Sequence, residues 1–379
     1  LLLWPFRAPA AEIAAGDADE LRAELRRAKP GTTILLAPGR YATGIHVGKL
    51  QGTKDKPIVI AGADERNPPV LAGGKTAFHF AGCSYVTLRN VKVSGCTING
   101  INADDGGNAD APSQGMVFEN LSIEDIGPKG NRDGLKLSGL DSFTVRNCTF
   151  SGWGGSAIDM VGCHDGVVEN CRFLGKSGFS QDHGVQTKGG SERISIRRNF
   201  FKNGGGRAVN LGGSTGTAYF RPKLRDYEAK DIQVAGNHFV GSFAPIVFAS
   251  SIECTVRHNT IVNPEKWVLR ILQEQPTDKF LPCQKGAFQD NLIVFDRRVQ
   301  VFANVGANTK ADTFSFSGNA WFCSDGERRP SLPAKETGAV YQVDPILESA
   351  ETPDLKVRSK DARLMKAGAH AFEKQANAK

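Results

Sequence analysis

Nine asparagines return along this chain in nearly the same local setting, one per stretch of two to four dozen residues, and that recurrence restricts the fold more than anything else in the sequence. They are Asn90 in LRNVKVSG, Asn120 in FENLSIED, Asn147 in VRNCTFSG, Asn170 in VENCRFLG, Asn199 in IRRNFFKN, Asn237 in VAGNHFVG, Asn259 in VRHNTIVN, Asn291 in FQDNLIVF and Asn319 in FSGNAWFC. An asparagine at a fixed corner tolerates a left-handed backbone, and its amide can bond an identical residue one layer above or below. Such a period marks a solenoid, whose units bury their apolar faces only by stacking on one another.

A second repeat runs in step with the first: DGLKLSG (133–139), SAIDMVG (156–162), HGVQTKG (183–189), RAVNLGG (207–213), PIVFASS (245–251) and WVLRILQ (267–273). Their third residues, Leu135, Ile158, Val185, Val209, Val247 and Leu269, are all apolar and lie 23, 27, 24, 38 and 22 residues apart. The fourth residues are Lys136, Asp159, Gln186, Asn210, Phe248 and Arg270. Alternation with period two puts the two sets on opposite faces of a strand, one face core and the other a candidate site.

The predicted fold is all-β: a single-stranded right-handed parallel β-helix, a solenoid with an N-terminal capping helix. Strands spaced about 4.8 Å apart over nine coils give a rod of roughly 40 Å. The leucine spacing of a leucine-rich repeat is absent, and a sandwich would show hairpin turns every 8–12 residues or so. Residues 17–57 are expected to form the cap and first coil, 58–323 the β-helix, and 324–379 a C-terminal cap and frayed tail. In the cap, DADELRAELRRA reads as a short amphipathic helix with Leu21, Leu25 and Ala28 on one face and Pro30-Gly31 at its end. It would cover strand edges that otherwise recruit other chains.

Residues 1–16, LLLWPFRAPAAEIAAG, look like a signal-peptide remnant or a disordered tail. Secretion, or export to a periplasm, is the expected localisation. No apolar run reaches the roughly 20 residues that span a bilayer, so no membrane partner is expected. The net charge of +7 suits an anionic ligand, read here as an acidic polysaccharide and not nucleic acid. The eight cysteines include no C-x-x-C and no Cys/His cluster, which excludes the usual zinc sites. Cys148 and Cys171 each follow a repeated asparagine and are expected in the core, whereas Cys283 and Cys323 could pair.

The run ADELRAELRRAKPGTTILLAPGRY, followed by GTKDKPIVIAGAD, PPVLAGG and YVTLRNVKVSG, resembles the amino-terminal portion of the β-helical polysaccharide lyases of family six, the group of chondroitinase B and alginate lyases. The resemblance implies a β-helix and elimination chemistry on an acidic sugar. In that family a catalytic lysine sits in an S-x-K-S-x-x-N pattern, and QTKGGSERISIRRN is similar to it, which carries the role to Lys188. The family's calcium-binding carboxylates would fall on Gln181 and His183, and its arginine near Gly212, where Arg207 is the available substitute. No metal ligands are therefore assigned. Ca²⁺ stays open through the acidic insertion that holds Asp104, Asp105 and Asp110.

β-Elimination on a uronate needs a cation to neutralise the carboxylate, a base to remove the adjacent proton and an acid for the leaving oxygen. Lys188, His183 and Arg207 are the catalytic candidates, with Lys188 or His183 as base. Lys136, Asp159, Gln186, Asn210 and Arg270 share the strand face. Tyr219 and Arg221 lie in the inserted loop 213–230, expected to fold over that face, where a tyrosine can stack on sugar and an arginine can grip a carboxylate. The alternatives are a polygalacturonase-like hydrolase and a non-catalytic carbohydrate-binding β-helix. For the hydrolase, NRDG (131–134) and HG (183–184) are suggestive, and Asp133 with Asp159 would be the carboxylate pair.

Overall fold

The computed structural model describes residues 12–377. Among these, the strands form three long sheets of 13, 12 and 10 strands, in which each strand pairs in parallel with its equivalents one coil before and after. The chain is a parallel β-helix. Apolar residues from all three sheets fill the axis in one continuous core. In the 12-stranded sheet Phe150, Phe173, Phe201 and Phe239 stack ring on ring, with centroids 5.2, 4.5 and 4.7 Å apart. Such columns repeat one side chain at the strand spacing, so burial and ring stacking reinforce the same register.

The asparagines split into two groups. Asn90, Asn120, Asn147 and Asn170 occupy the left-handed corner, with φ between 50° and 57°. From the next coil onward the corner passes to Arg198, Gly236, His258, Asp290 and Gly318, and the asparagine stands one residue later. There Asn199, Asn237, Asn259, Asn291 and Asn319 are buried, each of the first four donating from backbone and side chain to Oδ1 of the next. In the earlier coils the same column is apolar, with Val91, Leu121, Cys148 and Cys171. The last amide donates to Glu336, which also accepts from Trp321 Nε1 and so ends the ladder.

The helix Ala18–Arg27 buries Leu21 and Leu25, and Asp17 caps it by accepting from the backbone N–H groups of Asp19 and Glu20. Of the expected tail, residues 1–11 lie outside the described residues. Glu12–Ala15 is a strand that pairs with Thr33–Leu36. The C-terminal segment also departs from expectation. Short strands at Glu336–Thr337 and Val340–Tyr341 add a last rung. The chain then returns along the side of the solenoid, where helix Ala369–Asn377 is tied by Ala369 N to Thr260 Oγ1 and by Glu373 to Arg198. All eight cysteines are buried and unpaired, so Cys283 and Cys323 form no disulfide. Cys148 and Cys171 stand in the core as expected.

Candidate active site

The 10-stranded sheet carries the second repeat, and its register fixes which side chains can meet. Ser156, His183, Arg207 and Ala244 are successive partners in one column. Lys136, Asp159, Gln186, Asn210, Val247 and Arg270 form the next. The fifth copy of the motif corrects the sequence reading. Arg207 pairs with Ala244, not Pro245, so Ile246 and Phe248 point into the core and Val247 takes the outward place. A one-residue slip exchanges the two faces of a strand, which is why Phe248 had been placed outside.

Above these columns lies an open cleft of 620 Å³, lined by His183, Gln186, Lys188, Arg207 and Arg270. Two lysines share one carboxylate beneath it. Lys136 Nζ lies 2.7 Å from Asp159 Oδ2 and 2.9 Å from Asp133 Oδ2, while Lys188 Nζ lies 2.9 Å from Asp159 Oδ1. Both aspartates have no exposed surface. Burial pushes the pKa of Asp159 up, but Lys188 and Lys136 together outweigh it and hold the group below the usual carboxylate range. Asp133 moves the other way, raised by burial and by the charge of Asp159. Burial alone would lower Lys136, but the two aspartates raise it.

Lys188 also donates to Gln186 Oε1 at 3.1 Å. Gln186 Nε2 and Asn210 Nδ2 both donate to Gly212 O. Gly212 has φ +103°, and a Cβ there would stand 1.8 Å from Ala249 O, so only glycine can present its carbonyl in this way. The strand end after Lys188 is held by the buried Glu228, which accepts from Gly189 N, Thr215 N and Thr215 Oγ1 at 2.6, 2.6 and 2.8 Å. Arg207 pairs with Glu274 at 2.8 Å and donates to Asn210 Oδ1 at 3.2 Å. Arg270 donates to Asn304 Oδ1 and lies 4.3 Å from the centre of the Trp267 ring. Its pKa is drawn down by burial and by Arg207.

His183 is half-buried. Burial, then the positive charges of Arg207 and Lys188, push its pKa down to about 3, so the ring is neutral over the ordinary working range. Its Nδ1 is 3.5 Å from Ser156 Oγ, and its backbone carbonyl accepts from Trp153 Nε1 at 2.7 Å. The ring has no strong partner among the described residues and is free to meet a ligand.

The remaining sequence candidates lie elsewhere. Asp159 and Asn210 are wholly buried and cannot touch a polymer; they hold Lys188 and Arg207 instead. Lys136 faces an adjoining hollow that it shares with Arg221. Arg221 is committed to Asp105 at 2.8 Å, and Tyr219 is 68% exposed, outside the cleft lining. The loop 213–230 thus touches the cleft only at its start, through Ser214, and beyond that covers the flank of the face. Asp182, Phe243 and Glu274 do line the cleft and were not read from the sequence. Asp182 and Glu274 lie just outside the repeated strands, beyond the reach of periodicity.

The cleft does not suit Ca²⁺. Three cations line it, Glu274 is paired with one of them, Asp182 is the one other carboxylate in the lining, and no group of three or more His, Cys, Asp or Glu placed to hold a metal occurs among the described residues. In the acidic insertion, Asp104 is bonded to His79 at 2.6 Å and Asp105 to Arg221. No described helix is long and apolar enough to cross a membrane.

Residues 76–261 match the family described as right handed beta helix region. No curated protein sequence matches the chain. Among solved structures the chain is similar to an alginate lyase from Paenibacillus sp. str. FPU-7, at 18% identity over 88% of this chain and 98% of that one, with a TM-score of 0.51. It is similar to a rhamnogalacturonan lyase at 14% identity, covering 82% and 87% of the two chains, with a TM-score of 0.57. It also resembles a GH136 lacto-N-biosidase from Eubacterium ramulus at 12% identity, covering 88% and 68%, with a TM-score of 0.55. At such identities the likeness establishes the fold, which lyases and a glycoside hydrolase share.

Proposed function

We propose that this right-handed parallel β-helix repeat protein cleaves an acidic, uronate-containing polysaccharide by β-elimination in the cleft of its 10-stranded sheet. One observation carries the reading: Lys188, Arg207 and Arg270 face the same open cleft as a neutral, weakly partnered His183. Three cations beside one another favour a carboxylate, and neutralising it acidifies the proton on the adjacent carbon. His183 accepts that proton, the C–H electrons form a carbon–carbon double bond, and the neighbouring C–O bond breaks. The imidazolium then returns the proton to the departing oxygen. A bound carboxylate offsets the two cations that depress His183, so the ring becomes a stronger base when substrate is present.

Lys188 is assigned to the carboxylate and not to proton abstraction, because Asp159 and Gln186 already engage its amino group. Substitution separates the roles. Lys188→Arg keeps a cation and should keep part of the activity, whereas Lys188→Ala should lose it; equal loss in both would return the base to Lys188. We propose that the site needs no metal, and undiminished turnover after chelation checks this. A protein acting on such polymers would work outside the cytoplasm, as a secreted or periplasmic enzyme.

A second reading, hydrolysis, has support in Asp182 and Glu274, both in the cleft lining. Burial raises the pKa of Asp182 against the opposing effect of Arg207, which suits a proton donor. The pair Asp133 and Asp159 cannot serve, being buried around Lys136. Incubation with a panel of polyuronates and glycosaminoglycans decides between them. Ultraviolet absorbance of an unsaturated uronate marks elimination, new reducing ends without it mark hydrolysis, and binding without either marks a carbohydrate-binding module.

A further inference from the structure

One coil past Arg207 the outward face of the sheet changes character. Instead of ionic side chains it presents Ala244, Val247 and Ala249, with Trp267 and Leu272 packed over them. Phe243 stands at the cleft edge, 41% exposed, its ring edge-on to Trp267 at 4.9 Å between centroids and 80° between planes. Lys266 Nζ lies 4.6 Å from the centre of the Trp267 ring and 5.1 Å from that of Phe243. Lys266 is exposed, and the described contacts include no carboxylate partner for it. An aromatic face that holds an ammonium in place reduces the freedom lost when the ammonium meets an anion.

We propose that Phe243, Trp267 and Lys266 form a second sugar subsite, which binds a further acidic residue of the same polysaccharide beyond the one at His183. This rests on the reading of the cleft as a polyuronate site and deepens it. The coil of His183 and that of Trp267 are three strand spacings apart, about 14 Å along the axis. One sugar ring cannot touch both, so occupancy of both requires an oligomer lying along the solenoid. The exposed face of Phe243 suits the apolar face of a sugar ring, and Lys266 suits its carboxylate. Charge complementarity argues for this occupant: the site continues a cleft lined by Lys188, Arg207 and Arg270.

The test is binding and turnover of oligouronates of increasing length by the full chain and by Phe243→Ala and Lys266→Gln. Trp267 serves as fluorescent reporter in a Trp4→Phe background, since Trp153 and Trp321 are 1% exposed. Wild type should gain about tenfold in affinity from the shortest oligomers to the longest, and Phe243→Ala should lose that gain. Lys266→Gln should lose the same preference in a salt-dependent way while kcat on disaccharides stays unchanged. If either variant matches wild type at every length while the oligomers are still cleaved, the subsite is overturned and the cleft reading stands. If no oligouronate is bound or cleaved by wild type, both fall.

Discussion

Asp159 and Lys188 lie on adjacent coils and meet at 2.9 Å, the carboxylate wholly buried and the ammonium partly exposed to the cleft. The same carboxylate holds Lys136, which in turn reaches Asp133, so two carboxyl groups and two amino groups close a network under the cleft. Removing one member leaves an uncompensated charge where water cannot reach it. Asp159→Asn is therefore expected to destabilise the protein by roughly 3 kcal/mol and to lower activity further by freeing Lys188. Thermal melting and turnover of the same preparation check this. Lys136→Met should destabilise comparably yet spare part of the activity, since Lys188 keeps Asp159.

The acid limb of the activity profile should bear no mark of an ordinary histidine. The pKa of His183 in the free protein lies at about 3, below its usual 6.5, so the neutral form that accepts a proton persists well into acid. The pH dependence of kcat/KM, which reports the free enzyme, should stay flat through pH 6.5 as far as this residue is concerned. Arg207→Gln removes one depressing charge and should move the limb upward. A limb near 6.5 in the wild type, absent from His183→Gln, would show that the ring is not held by Arg207 and Lys188.

The fold was legible because a parallel solenoid writes each coil into the sequence at nearly the same place: five of the six motif copies align in the register found. Periodicity also brought His183, Lys188, Arg207 and Arg270 to one face. It failed where a copy offers two registers. In APIVFAS either Ile246 and Phe248 or Val247 can face inward, and the pairing of Arg207 with Ala244 decides the matter, which no local pattern contains. Trp267 occupies the first place of its motif copy, as His183 and Arg207 do of theirs, so alternation could have drawn attention to it. Asp182, Phe243 and Glu274 reach the cleft from loops. The excursion of Tyr219 and Arg221 away from the cleft follows from the pairing of Arg221 with Asp105, 116 residues earlier in the chain.

Acid should loosen the C-terminal strap before the solenoid. His238, His258 and His370 gather where helix Ala369–Asn377 meets the 12-stranded sheet, and burial lowers all three, His238 to about 4. Both ring nitrogens of His370 and Nδ1 of His258 are buried without a hydrogen-bond partner. Around them stand Asp290, 3.8 Å from His258, together with Arg257, Lys374 and the Arg198–Glu373 pair. A histidine whose folded pKa is depressed stabilises the folded form fully above pH 6.5 and progressively less as pH falls toward the folded value. Limited proteolysis of residues 324–368 should therefore quicken between pH 6.5 and 4. In His370→Phe that acceleration should shrink; if it does not, the histidines do not control the strap.

The asparagine ladder predicts a gradient of mutational cost along the solenoid. Asn259 accepts from the backbone and side chain of Asn237 through one oxygen, and donates to Val234 O, Arg257 O and Asn291 Oδ1. Replacing it by valine leaves two donors of Asn237 unpaired in a dry interior, at a cost of roughly 3 kcal/mol or more. Asn199 begins the ladder and accepts from Cys171 N; below it the column is apolar. Asn199→Val orphans a single donor outside the mutated residue and extends an existing stripe of Cys148 and Cys171, so it should cost about half as much. Denaturant melts of the two variants compare these values directly. Equal costs would mean that the amides act independently and that the ladder gains nothing from its length.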